Sequence, residues 1–201
     1  NADIVVEKEN FARAFSGPYA KIIEYRSGVE IASADPAQMA LSTNAGDVRG
    51  DVINLIPAHR AGGLVASAGL ATGGDGRFAP VDVLSYASIA APNVHVIGDS
   101  NATTQPKAGH IANQEAKVCA DALARIFAGG QPDPSPVTNS ACYSTITRTD
   151  ATWLTAVFQY DAATKSMVPV PKSFAASESW TAKNFKEMGK WFDALMADTF
   201  S

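Results

Sequence analysis

"NVHVIGDSNATTQPKAGH", residues 93–110, decides how the rest of the chain is read. The apolar run "HVI" ends in Gly98-Asp99 and gives way to small and polar residues before a helical pattern begins. That is the pattern of a strand covered on both faces of an α/β sheet. Ligands of such sheets sit beyond the carboxyl ends of the strands, which is where Asp99 falls. A carboxylate that only accepts hydrogen bonds suits the hydroxyl of a sugar or ribityl chain. Gly98 would let the backbone come close to a ligand, and the amides opening the next helix would offer partial positive charge. The same residues also have a local reading, because an Asp after a strand commonly caps a helix or shapes a turn.

Downstream, from about Ile111 to Phe127, the spacing turns helical. Val118, Cys119, Ala122, Leu123 and Ile126 share one stripe, and Gly129-Gly130 closes the helix. Upstream, "KIIEY", "GVEIAS", "QMALSTN" and "DVINLI" between Lys21 and Ile56 read as strands, with "AGDVRG" as a turn before the last. "DVINLIP" is nearly all apolar, as a doubly covered strand would be, and "RAGGLVASAGL" reads as a short helix weakened by its glycines.

"GGQPDPSPVTNS", residues 129–140, carries three closely spaced prolines that forbid helix and discourage a central strand. It divides the chain into residues 1–130 and 131–201. The second part offers strands at "CYSTITR", "WLTAVFQYD" and "SMVPVP" and an amphipathic helix from about Glu178 to Met196, a small α+β unit. The expected fold class is α/β for the first part, with an α+β appendix.

Sixteen basic residues against 20 acidic ones give the 201-residue chain a formal charge of -4, without the basic stripe that nucleic acid requires. No apolar run approaches the roughly 20 residues that span a bilayer, so membrane insertion is not expected. No charged segment followed by an apolar one opens the chain as a signal peptide would. Asn1-Ala2 reads as the remainder of a cleaved tag, and the chain as a piece of something longer. Cys119 and Cys142 are too few for a disulfide scaffold, and with His59, His95 and His110 they form no metal-ligand spacing. Cys119 lies in the helical stripe, so packing explains it; a lone strand cysteine such as Cys142 is most often a small buried residue.

"SYASIAAPNVHVIGDSNATTQPKAGHIANQEAKVCADAL" resembles the second FAD-binding motif of the two-dinucleotide-fold disulfide oxidoreductases. With "DVINLIPAHRAGGLVASAGL", "GRFAPVDV", "PKAGHIANQEAKV", "ACYSTIT" and "KWFDALMADTF" in order, the chain resembles the C-terminal half of the flavoprotein subunit of flavocytochrome c sulfide dehydrogenase. The resemblance implies a partial two-dinucleotide-binding-fold reductase core followed by a C-terminal flavin-binding domain, with FAD as cofactor. It also implies hydrosulfide as substrate, a c-type cytochrome as partner and a periplasmic location.

On that resemblance, Asp99 holds the ribityl chain, Gly98, Gly109 and His110 line the flavin loop, and Lys107 lies beside the isoalloxazine. Cys142 is one of two redox-active cysteines whose partner comes from the other half, and Trp191 stands between flavin and haem. The residues alone allow plainer roles: a solvated loop lysine for Lys107, and for Trp191 a core aromatic pinning the last helix to the small sheet. A Gly-x-Gly-x-x-Gly turn is absent, and "GGDG" at residues 73–76 lacks its spacing, so FAD binding by this chain is expected to be weak or nil. Two rivals remain: a sulfide:quinone oxidoreductase, whose C-terminus would carry more apolar amphipathic helices, and a docking module for a cytochrome or sulfur-oxidation partner.

Overall fold

In the computed structural model, residues 5–73 and 75–200 are described. The chain forms two compact units, Ala12–His59 and Asn1–Phe11 together with Arg60–Ser201. The first helix, α1 (Val5–Ser16), has no counterpart in the sequence reading.

The Ala12–His59 unit contains an antiparallel meander, β1 (Ile31–Asp35), β2 (Ala40–Thr43) and β3 (Gly46–Arg49). "GVEIAS" and "QMALSTN" supply β1 and β2, but "AGDVRG", expected as a turn, is β3. The tight connection lies one step earlier: Gly46 takes φ +100 and the Thr43 hydroxyl caps the turn by accepting from the Ala45 amide. Gly46 thereby serves the hairpin turn that only a residue free of a Cβ adopts cheaply. "KIIEY" and "DVINLI" form no strand among the described residues, and Val52 and Ile56 are 84% and 72% exposed. "DVINLI" has the composition of a covered strand without partners in its unit to cover it.

In the larger unit, the short helix α2 (Gly63–Ser67) answers to "RAGGLVASAGL", and β4 (Val81–Asp82) pairs with β5 (Ala87–Ser88). "HVIGD" is a correction to the sequence reading. His95 makes one bridge to Ala87, and Gly98–Ser100 turn as a single 3-10 unit. Only Val96 of the run is buried, while Val94 and Ile97 are more than two-fifths exposed. The named strands pair antiparallel, and the parallel contact that is present, Ala79 with Asn101, is an isolated bridge. The architecture is therefore α+β; the doubly covered parallel strands that the sequence suggested are not among the described residues.

Helix α3 (Gly109–Phe127) follows the expected range. Gly129 at φ +79 and the Gly130 amide donating to the Arg125 carbonyl end it in a Schellman motif. Its buried stripe runs through Ile111, Glu115, Cys119 and Ala122 and fades in the last turn, where Ile126 is exposed.

The proline-rich stretch is a loop within this unit only as far as Pro136; its last residues, Val137 to Ser140, already belong to the first strand of a four-stranded sheet. β6 (Val137–Thr145) and β7 (Ala151–Asp161) pair along nine consecutive positions, while β8 (Ser166–Pro169) and β9 (Ala175–Ala176) pair with β7 farther along. Period-two alternation puts Thr138, Ser140 and Cys142 on one face opposite Phe158, Ala156 and Leu154. Ala156, Phe158 and Met167 pack with Ile111 and Val83 to form the core. The last helix, α4 (Ala182–Phe200), begins four residues later than the pattern suggested. Thr181 is tied to Ala151 by two backbone hydrogen bonds, and its hydroxyl accepts from the Asn184 amide as an N-cap.

Candidate flavin site

The loop from Gly98 to Ala108 leads from the 3-10 turn into α3, and several of its polar groups are tied to the elements around it. Gly98 sits at φ +69, and a Cβ there would come within 3.3 Å of the Ala112 methyl, so glycine answers both a backbone and a packing demand. Its amide donates to Glu115 Oε2 at 2.6 Å. The Thr104 hydroxyl donates to the Met167 carbonyl at 2.7 Å. Gln105, buried, accepts from the Tyr86 phenol and donates to Thr138 on β6 at 2.5 Å. The loop is thus pinned to α3 and to the C-terminal sheet.

Asp99 is exposed, and its carboxylate makes no hydrogen bond or ion pair among the described residues. Lys107 is anchored: its ammonium donates to the Asn101 carbonyl at 2.6 Å and lies 4.1 Å from the centre of the Phe78 ring. Partial burial lowers its pKa, against the opposing attraction of Asp99 and Glu115. Lys107, Phe78, Thr103, Ala102, Asp75 and Gly73 line an open cleft of about 430 Å3. Gly98, Asp99 and Lys107 also share, with Glu115, a tight space under the loop.

Sequence reading missed Glu115. It is 1% exposed and accepts from the Gly98 amide, from Asn101 Nδ2 at 2.7 Å and from the Thr103 hydroxyl at 3.4 Å. Burial raises its pKa, opposed by those hydrogen bonds and by Lys107. The signal was present: Glu115 stands four residues from Ile111 and four from Cys119, on the buried stripe itself.

Gly109 and His110 open α3. A Cβ on Gly109 would meet nothing within 4 Å, so no packing demand fixes it. His110 Nδ1 accepts from the Ala141 amide of β6 at 2.9 Å, which leaves the proton of the neutral ring on Nε2. Burial lowers its pKa. The Trp191 ring meets His110 edge-on at 6.0 Å and Tyr143 at 5.4 Å, joining α4 to α3 and β6. Its buried Nε1 has no hydrogen-bond partner among the described residues.

Cys142 is half-buried on β6 with a free thiol, 3.9 Å from the Ser140 hydroxyl. It lines neither the cleft at Lys107 nor the space under the loop. Gly98, Asp99 and Lys107 therefore gather in one place and His110 with Trp191 in a second, while Cys142 follows directly on Ala141, His110's partner.

The strand, sheet and helix carrying Cys142 and Trp191 are the part with a recognisable relationship. Residues 134–200 match the family model for flavocytochrome c sulphide dehydrogenase, flavin-binding. The match takes in β6 to α4, about a third of the chain, and includes the "ACYSTIT" and "KWFDALMADTF" blocks. The matched family is one of flavin-binding domains, in keeping with the C-terminal half of a flavoprotein subunit and with FAD as its cofactor. No helix among the described residues is long and apolar enough to cross a membrane.

Proposed function

We propose that the chain supplies part of the flavin site of a FAD-dependent sulfide dehydrogenase that oxidises hydrosulfide and passes electrons to a c-type cytochrome. The observation that carries the reading is the flavin-binding family match across the strand that bears Cys142. The donor set of the loop suits the cofactor on chemical grounds. Asp99 is a carboxylate without a hydrogen-bond partner among the described residues, able to accept from ribityl hydroxyls, and Lys107 is an anchored cation able to face an electron-rich ring. When bound, FAD would supply the exchange between a two-electron donor and a one-electron acceptor.

The chain's own residues have narrower tasks. Asp99 and Lys107 would hold and orient the cofactor, and Gly98 keeps the backbone beneath it free of a side chain. Cys142, paired in a disulfide with a cysteine from outside residues 1–201, would receive the sulfide sulfur as a persulfide while the bonding electron pair leaves on the partner sulfur. His110, at the start of α3, and Trp191, in the middle of α4, would hold the two helices against that strand. The finer assignments, a partial two-dinucleotide-binding core up to about residue 130 and a periplasmic location, rest on the sequence resemblance alone.

Visible absorption of the purified chain after incubation with FAD and removal of free cofactor tests the binding claim. A retained flavin band supports a binding half-site in this chain; its absence, with the chain folded, removes that claim. For the chemistry, Cys142→Ser in the full-length protein is expected to abolish sulfide-dependent cytochrome reduction with FAD still bound, and undiminished turnover would take Cys142 out of the site.

A further inference from the structure

A charged residue on the buried stripe of an amphipathic helix is costly unless each of its acceptor sites is used. Glu115 meets that demand by taking all its donors from one short segment: the Gly98 amide, Asn101 Nδ2 and the Thr103 hydroxyl. Asn101, 1% exposed, extends the connection, since every polar group it has is engaged. Its amide donates to the Gly98 carbonyl, its Oδ1 accepts from the Thr103 amide at 3.0 Å, and its carbonyl accepts from Lys107 Nζ. One buried carboxylate is therefore joined to the backbone just before Asp99 and, through one asparagine, to the ammonium of Lys107.

We propose that Glu115 is a positioning residue: its carboxylate holds the Gly98–Thr103 turn and, through Asn101, Lys107, so that Asp99 and Lys107 are presented together to the flavin. This rests on the flavin reading above for the identity of the ligand. Glu115 touches no ligand itself. Its contribution is to fix two groups that do, on a loop whose left-handed Gly98 would otherwise be free to relax.

Two variants separate the acceptor from the charge. Glu115→Gln keeps a carbonyl oxygen for Gly98 and Asn101 and offers its amide to Thr103; Glu115→Leu keeps the bulk and removes every acceptor. Amide hydrogen exchange at Gly98 and the dissociation constant for FAD are measured on the whole chain, with the β6–β7 amides as the internal control. Glu115→Leu is expected to speed Gly98 exchange and weaken FAD binding by about tenfold or more, and Glu115→Gln to stay within about threefold of wild type on both, since an unpaired buried donor costs more than a retained hydrogen bond of reduced charge.

Unchanged Gly98 exchange in Glu115→Leu, or FAD affinity equal to wild type, overturns the proposal. A Glu115→Gln chain as loose at Gly98 as the Leu variant overturns it as well, because the acceptor was preserved. Should Glu115→Leu fail to fold, Asn101→Ala takes its place; it is expected to weaken FAD binding several-fold with β6–β7 protection intact, and wild-type affinity there would overturn the link to Lys107. If the wild-type chain takes up no FAD, as the missing Gly-x-Gly-x-x-Gly turn leads one to expect, the FAD comparison is made on the full-length protein, where failure of the wild type to bind FAD would end the flavin reading, and Gly98 exchange still decides whether Glu115 holds the turn.

Discussion

Two buried glutamates of the same unit have opposite surroundings. Glu115 on α3 accepts from three donors of one loop, whereas among the described residues Glu7 on α1, 3% exposed, accepts from the Thr152 hydroxyl at 3.2 Å and its Oε2 has no partner. Burial alone thus says little about what a carboxylate does. At Glu115 the buried charge organises a loop; at Glu7 it is tolerated in a seam where neighbouring contacts do the holding, such as Asn10 Nδ2 donating to the Ser177 carbonyl at 2.9 Å.

The largest effect should come from stripping the satisfied acid. Glu115→Ala, measured by urea unfolding, is expected to lose about 3 kcal/mol, because it strands the Gly98 and Asn101 donors in a buried site. A loss as small as a surface substitution gives would end the distinction between the two acids. Next in size is Gly98→Ala, with an expected loss of about 1–2 kcal/mol from the left-handed backbone and the Ala112 contact. An unchanged midpoint would mean that the turn relaxes without cost and does not need the Glu115 anchor.

A smaller effect follows from pH. His110 titrates below its usual 6.5 because burial disfavours its charged form, with Asp198 attracting and Lys117 repelling the proton. The unfolded chain therefore takes up the proton first. Stability from His110 is complete above 6.5, declines as pH falls from there to the folded value, and changes no further below it. Denaturant midpoints across that window should fall more in wild type than in His110→Asn; parallel curves would exclude His110 as the cause. Smallest is Glu7→Leu, which is expected to leave stability unchanged or raise it by about 1 kcal/mol, since removing an under-satisfied buried acid relieves its desolvation. A loss matching that of Glu115→Ala would show that Glu7 is satisfied in solution in a way the two sites share.

The sequence was most legible where a period is sustained. The nineteen residues of α3 carry enough repeats to fix type and extent, and the pattern places β7 to within two residues; β6 reads as a strand but begins at Val137, five residues before the "CYSTITR" run, and ends at Thr145. It misled where a short apolar run stood alone: "DVINLI" and "HVIGD" have the composition of covered strands, but composition cannot supply the neighbours that pair with them. At the site, the sequence puts Gly98, Asp99 and Lys107 on one loop, and the structure gathers them in one place. The place of Glu115 on the buried stripe was legible as well, but its role was not, because that depends on which loop folds over it. For Trp191 the plain reading describes its contacts, since the ring bridges Tyr143 and His110.

The β6–β7 pair has a consequence for the order of folding. Its nine cross-strand pairs are closed by the five-residue link Ile146–Asp150, so little chain entropy is lost before contacts form. The bonds from α1 to Thr152 of that sheet and to Ser177, just beyond β9, span 145 and 167 residues. Contact order therefore makes the hairpin an early structure and the docking of α1 a late one. In pulse-labelled refolding, amides of Val137–Asp161 should gain protection before those of Val5–Ser16, and the reverse order would place the nucleus elsewhere. The orphaned oxygen of Glu7 would then lie in the last seam to close, where imperfect solvation of one acid does least harm to the pairing already made.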